Sequence, residues 1–183
     1  MSTGYRIYNG SGFYFMTWTI VQWADLLSRK RYRDIICDSL NYCTAHKGLR
    51  VYGYCIMTNH VHILLSAVNG NLSDVLRDCK AHISRTLMKS ILEEPESRRD
   101  WLLMLSKYAA GGHNRNRDYQ LWEHDNHAIE IYSETFLLQK LGYIHDNPVR
   151  AGFVAEGHHW LYSSAADYYN GRQVGPVQVQ FIF

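Results

Sequence analysis

His60-Val61-His62 sets two imidazoles either side of one apolar residue, inside the stretch from Cys55 to Leu65. On a β-strand, alternate side chains share a face, so both rings point the same way with their bases roughly 7 Å apart. Val61, Ile63 and Leu65 then face the other way and can anchor the strand in a core. An imidazole pair fixed on a sheet face is a ready bidentate site for a divalent metal. The same pattern fits a strand carrying two half-buried, hydrogen-bonded histidines. The pair therefore needs a partner elsewhere in the chain.

A candidate partner lies some eighty residues on. Ser133 precedes Phe136, Leu137, Lys140, Leu141 and Ile144, which recur at helical spacing, and the helix is expected to end near Asn147-Pro148. It carries Tyr143 and Asn147, and positions four apart share a helical face about 6 Å apart. Tyrosine, with an ordinary pKa near 10, needs help to act as a nucleophile. A metal on His60 and His62 could supply that help by polarising a phosphoryl oxygen, with the Asn147 amide oxygen as third ligand. Two nitrogens and one neutral oxygen suit Mg²⁺ or Mn²⁺ with waters, although two imidazoles also admit Zn²⁺ or Ni²⁺. Spacing alone leaves open that Tyr143 is a core or interface tyrosine and Asn147 a helix end before proline. Gly142, beside Tyr143, weakens the helix by about 1 kcal/mol relative to alanine and reads as a flexing point or a mark of tight packing.

The rest of the chain must position these groups. Its 183 residues suggest one domain, 1–183, able to bury roughly 70% of its unfolded surface. No run of eighteen apolar residues indicates a membrane span, and the start lacks a signal-peptide layout. Cys37, Cys43, Cys55 and Cys79 form no Cys-x-x-Cys pair and read as reduced residues of a cytoplasmic protein. A net charge of +2 does not announce nucleic acid, but cations gather at Arg29 to Arg33, along Arg77, Lys80, Arg85 and Lys89, and at Arg115 and Arg117.

Phe13 to Val21 reads as a buried strand. Tyr32, Ile35, Ile36, Leu40 and Cys43 trace a helix that stops at His46-Lys47-Gly48. Arg50 to Thr58 and His60 to Ala67 are two strands joined so tightly that they form a hairpin or one bent strand. Leu72 through Ile91 is a long amphipathic helix, with Ser73 as its opening residue. Glu93 to Asp100 reads as a charged connection, Ala109 to Asp118 as a loop and Tyr119 to Trp122 as a short strand. Ser164-Ala165-Ala166-Asp167 resembles a capping box opening a last short helix, and Gln178 to Phe183 alternates like an edge strand. This order favours an α+β architecture with helices on one face of an antiparallel sheet.

Met57-Thr58-Asn59-His60-Val61-His62-Ile63-Leu64 and Leu141-Gly142-Tyr143-Ile144-His145-Asp146-Asn147-Pro148-Val149-Arg150-Ala151-Gly152-Phe153-Val154 together resemble the single-tyrosine HUH transposases. The nearest branch is the REP-associated tyrosine transposases, relatives of the IS200-like enzymes. Tyr119 to Trp122, Trp160 to Ser164 and Tyr168-Tyr169 also fit, so the resemblance covers a core of about 12–169 and leaves 170–183 as a tail. It implies a ferredoxin-like fold of the HUH endonuclease type, with the histidines on a central strand. It implies that His60, His62 and Asn147 hold a divalent metal, Mg²⁺ or Mn²⁺, while Tyr143 attacks single-stranded DNA beside a hairpin. The product would be a 5′-phosphotyrosine link and a free 3′-hydroxyl. Arg150 is the first expected phosphate contact, followed by Arg77, Lys80 and Arg85. His145 is read as structural or DNA-contacting; His124, His127, His158 and His159 are not expected to be ligands. A non-cutting hairpin-binding protein and a small metalloprotein are the competing readings, and a homodimer is possible in either DNA-handling case.

Overall fold

The computed structural model describes residues 7–111, 118–124 and 127–183; Arg115 and Arg117 fall outside them. Strands β1 (Phe13–Thr19), β2 (Leu49–Ile56), β3 (His60–Ala67) and β4 (Ile129–Ile131) form one sheet in the order β2-β3-β1-β4. Every pairing is antiparallel, and β1 and β3 are central, as in a ferredoxin-like fold. Strands β2 and β3 form a tight hairpin closed by the Met57 N–H donating to the His60 carbonyl at 2.8 Å.

Helices α1 (Lys30–His46) and α2 (Leu72–Glu93) cover one face of the sheet. Their apolar stripes, Tyr32, Ile36 and Leu40 on α1 and Leu72, Ile83 and Leu87 on α2, pack against Tyr14, Met16, Trp18, Tyr54, Val61, Ile63 and Leu65. Helix α4 (Glu134–Arg150) lies on the other face, with Leu141 and Ile144 against Phe15, Tyr52, Cys55 and Leu64. Helices thus occupy both faces rather than one. The amphipathic stripe of α4 meets the second apolar row that strand alternation creates. A register shift between Val51 and Gly53 marks a bulge in β2. A Cβ on Gly53 would lie 2.5 Å from the Leu141 Cδ1, so the missing side chain lets α4 settle onto the sheet.

Local expectations fail where tertiary contacts compete. Helix α4 continues through Pro148 to Arg150, because proline in a last turn removes one backbone bond while Pro148 itself is buried. Ser164 does not cap α5 (Ala165–Asn170); its Oγ accepts from the Tyr54 N–H at 2.9 Å, tying the helix to β2. Asp167 instead accepts from the backbone N–H groups of Val174 and Gly175 at 2.6 Å each, holding the tail. The tail buries Val177 and Val179 and makes one backbone bond to β2, Gln180 N–H to the Val51 carbonyl, without becoming a strand. Tyr119 to Trp122 makes an isolated bridge, Ile20 to Trp122. An unexpected helix, α3 (Arg99–Gly111), follows the charged connection. All four cysteines are free and buried.

The Arg29-to-Arg33 cluster is mostly architectural. The Glu96 carboxylate, its side chain fully buried, pairs with Arg29 at 2.6 Å and Arg31 at 3.2 Å and accepts from the Tyr32 hydroxyl at 3.0 Å. Arg33 lies over the rings of Tyr162 and Trp160 at 4.3 and 5.6 Å.

Gly142 is not a packing device, since a Cβ there would meet nothing within 4 Å. Gly142→Ala is therefore expected to stabilise the fold by about 0.5–1 kcal/mol, raising the melting temperature by roughly 2–4 °C in calorimetry. A fall in stability would show instead that α4 depends on the glycine's freedom.

Candidate active site

The histidines occupy the face that α4 covers. On β3, His60 and His62 sit opposite Thr19 and Thr17 of β1, with ring centroids 4.6 Å apart. The cross-strand neighbour Thr17 meets His62, its Oγ1 lying 2.9 Å from Nδ1. His60 Nδ1 lies 2.7 Å from the Asn59 Oδ1 in the hairpin turn. In the tautomer whose Nδ1–H donates to these oxygens, each Nε2 keeps a lone pair.

Helix α4 brings the third and fourth groups. The Tyr143 ring stands edge-on to His62 at 5.2 Å and to Phe15 at 5.8 Å, and the residue is 36% exposed, so the side chain is not sealed in the core. One turn later, the Asn147 amide comes near enough to the His60 side chain to favour its protonated form. The predicted set of His60, His62, Tyr143 and Asn147 is thus brought together from β3 and α4, which are far apart in the chain.

Cations ring the tyrosine. The Arg150 guanidinium lies 5.1 Å from the centre of its ring; the Lys140 ammonium lies 5.8 Å from it and 4.8 Å from the Phe15 ring. Burial pushes the His62 pKa down to about 3, helped by His60, Lys140 and Arg150. Burial also lowers that of His60, opposed by the nearby Asn147 amide. Both rings are therefore neutral near pH 7, the form a metal needs. This donor set, two neutral imidazoles with an amide beside them, fits a divalent cation.

Sequence reasoning missed Thr17, Asn59, Phe15, Lys140 and Trp23, whose ring lies 5.9 Å from His60. Only the strand alternation of Phe15 and Thr17 carried a signal for any of them. Arg77, Lys80 and Arg85 lie on α2, across the sheet from Tyr143, where they line a separate cavity of about 820 Å³. Arg77 pairs there with Asp74 at 2.7 Å and Asp78 at 3.1 Å, and Lys80 lies over the Trp122 and Trp18 rings at 5.5 and 5.7 Å. His145 turns away from the site: its Nε2 is 2.9 Å from Ser164 Oγ, its ring packs on Tyr168, and burial pushes its pKa to about 4. His158 and His159 sit on a surface turn with Glu156, their ligand atoms within 4.8 Å of one another, and His158 stacks on Tyr169 at 3.9 Å.

The family model described as "Transposase IS200 like" matches residues 14–112, more than half of the chain. The chain belongs to the IS200-like transposase family. That span includes both histidines of this transposase-family protein and ends before Tyr143. Among solved structures, a REP-associated tyrosine transposase bound to a REP hairpin superposes with a TM-score of 0.66 at 16% identity, covering 100% of this chain and 94% of that one. At that identity the likeness is one of fold, and it is the α+β fold with a four-stranded antiparallel sheet. A putative transposase from Deinococcus radiodurans R1 matches at 17% identity and a TM-score of 0.44, over 80% of this chain and 97% of that one. No curated protein matches. No helix among the described residues is long and apolar enough to cross a membrane.

The buried neutral histidines set a pH dependence. His62 and His145 titrate near 3 and 4 when folded and near 6.5 when unfolded, so between those values the unfolded chain binds more protons. Stability is then fully present above about pH 7 and falls as pH drops, by about 2–4 kcal/mol at pH 5. Urea unfolding across this range checks it; a pH-independent midpoint would contradict the burial of both rings.

Proposed function

We propose that this chain cuts and rejoins single-stranded DNA beside a hairpin, through a transient covalent bond to Tyr143. The observation that carries this reading is the Tyr143 ring against His62 at 5.2 Å, on the face that both histidines share. A phenol next to two neutral imidazoles and two cations is arranged for phosphoryl chemistry, and the family's transposase character makes DNA the substrate. The hairpin carried by the REP-associated structural relative supports a hairpin ligand here.

His60, His62 and Asn147 would hold the metal, Mg²⁺ or Mn²⁺. When bound, it polarises the scissile phosphate and stabilises the charge that develops there. Tyr143 Oη attacks phosphorus and gives its proton to solvent. The new phosphorus–oxygen bond replaces the one to the 3′ oxygen, which leaves and takes up a proton. The 5′ side stays on Tyr143. Because one phosphodiester is exchanged for another, the released 3′-hydroxyl can reverse the step and rejoin a strand. Arg150 and Lys140, flanking the ring, neutralise the phosphate and the phenol oxygen as charge builds on it. Arg77, Lys80 and Arg85 form a secondary contact surface for the hairpin backbone, weakened where Arg77 and Lys80 are engaged internally. All four central groups come from one chain, so a single copy suffices for cleavage and a homodimer is not required by the chemistry.

Incubation with single-stranded hairpin oligonucleotides from the gene's own flanks and Mg²⁺ or Mn²⁺ tests the proposal on denaturing gels. The expected result is a protein–DNA adduct that Tyr143→Phe abolishes and His60→Ala reduces at least 100-fold. Tight binding with no adduct would overturn cleavage in favour of a non-cutting hairpin-binding protein.

A further inference from the structure

Two exposed aromatic platforms flank the site on opposite sides. On the His60 side, Trp23 is 64% exposed although its ring reaches His60 at 5.9 Å. It is held there by an unfavourable backbone. Gln22 and Trp23 both adopt positive φ, 55° and 54°, in a short 3-10 turn, Val21–Trp23. Side chains of this size seldom occupy that region, and consecutive residues in it are rarer still. The turn is braced by the Gln22 N–H donating to the Glu123 carboxylate at 3.0 Å and by the Asn59 amide donating to the Trp23 carbonyl at 3.4 Å. Asn59 is also the partner of His60 Nδ1, so one side chain couples the strained turn to the histidine. The fold holds a large apolar ring in water beside the site, where burial would have been the more stable outcome.

On the Tyr143 side, Tyr132 is 83% exposed and stacks on Phe136 at 5.1 Å and 26°. The ladder continues one turn on with Lys140, whose ammonium lies 5.2 Å from the Phe136 ring and 5.8 Å from Tyr143, and ends with Arg150 over Tyr143. Rings and cations thus follow one another from Tyr132 along α4 into the site. That is the chemistry of a single-strand track: aromatic faces stack bases of any sequence while neighbouring cations take the phosphates.

Resting on the reading of the site as a single-strand DNA cutter, we propose that the strand crosses it clamped on both sides of the cut. Trp23 stacks a base on the His60 side, Tyr132 and Phe136 stack bases on the Tyr143 side, and Lys140 takes the phosphate between them. The clamps would hold the scissile phosphate over Tyr143 independently of base sequence, leaving sequence choice to other contacts.

The test uses Tyr143→Phe protein, so that binding is read without cutting, and hairpin oligonucleotides carrying 2-aminopurine at successive positions of the single-stranded flank. Stacking on an aromatic ring quenches the probe. Quenching is expected in two separate windows, one abolished by Trp23→Ala and kept by Trp23→Phe, the other abolished by Tyr132→Ala with Phe136→Ala. Each loss should also weaken binding of the flanked oligonucleotide by roughly 5- to 150-fold per base unstacked. These side chains are exposed or half-exposed, and thermal melting checks that the variants fold. Uniform fluorescence along the flank, or windows that survive both sets of variants, would overturn the clamp. The adduct assay on the wild-type protein remains the separate test of cutting, so adducts without quenching would sink the clamp alone, and quenching without adducts would sink cleavage alone.

Discussion

The packing of α4 on the histidine face of the sheet is the constraint on which the site depends. Leu141 and Ile144 point into Phe15, Tyr52, Cys55 and Leu64, and helical periodicity then leaves Tyr143 and Asn147 no choice but to lie along the imidazoles. The bulge in β2 places Gly53 under Leu141, so the separation of helix and sheet is set by backbone against side chain. The large core on the opposite face, with α1 and α2, keeps β3 rigid and so keeps the two histidines in register. A site assembled on a helix and a central strand has less freedom than one built on loops.

Electrostatics completes what packing begins. The histidine pocket excludes protons by desolvation, by the second ring and by the two flanking cations. The same cations that make a protonated imidazole unfavourable make an anionic ligand favourable, so one arrangement keeps both imidazoles neutral and favours a phosphate beside them. Positive charge elsewhere is handled differently. The arginines at the start of α1 are consumed by the buried Glu96, which ties them to the segment before α3, and by the Tyr162 ring.

Much of this was legible in the residues. The His-x-His spacing, the tight Thr58-Asn59 turn and the four-residue interval from Tyr143 to Asn147 are local patterns whose geometry follows from strand and helix periods alone. What stayed hidden depends on contacts across the fold. Thr17 faces His62 only because of the β1–β3 register, and Lys140 approaches Phe15 only once α4 has docked. Helix α3 buries Leu102, Ser106 and Ala110, a stripe with two small residues that carries little apolar periodicity. Ser164 and Asp167 have the spacing of a capping box, but β2 and the tail outbid the helix for both side chains. The charge run at Arg29 to Arg33 reads as a solvated basic cluster until Glu96 is seen beneath it.

The central claim is that the metal sits at His60 and His62, within reach of Tyr143. The most direct measurement is paramagnetic broadening of tyrosine ring NMR signals on titration with Mn²⁺, with the Tyr143 signal assigned by its loss in Tyr143→Phe. Strong broadening of Tyr143 that disappears in a His60→Ala, His62→Ala protein is the predicted result. Preferential broadening of Tyr169, which packs on His158 near Glu156, or an unaffected Tyr143, would contradict it.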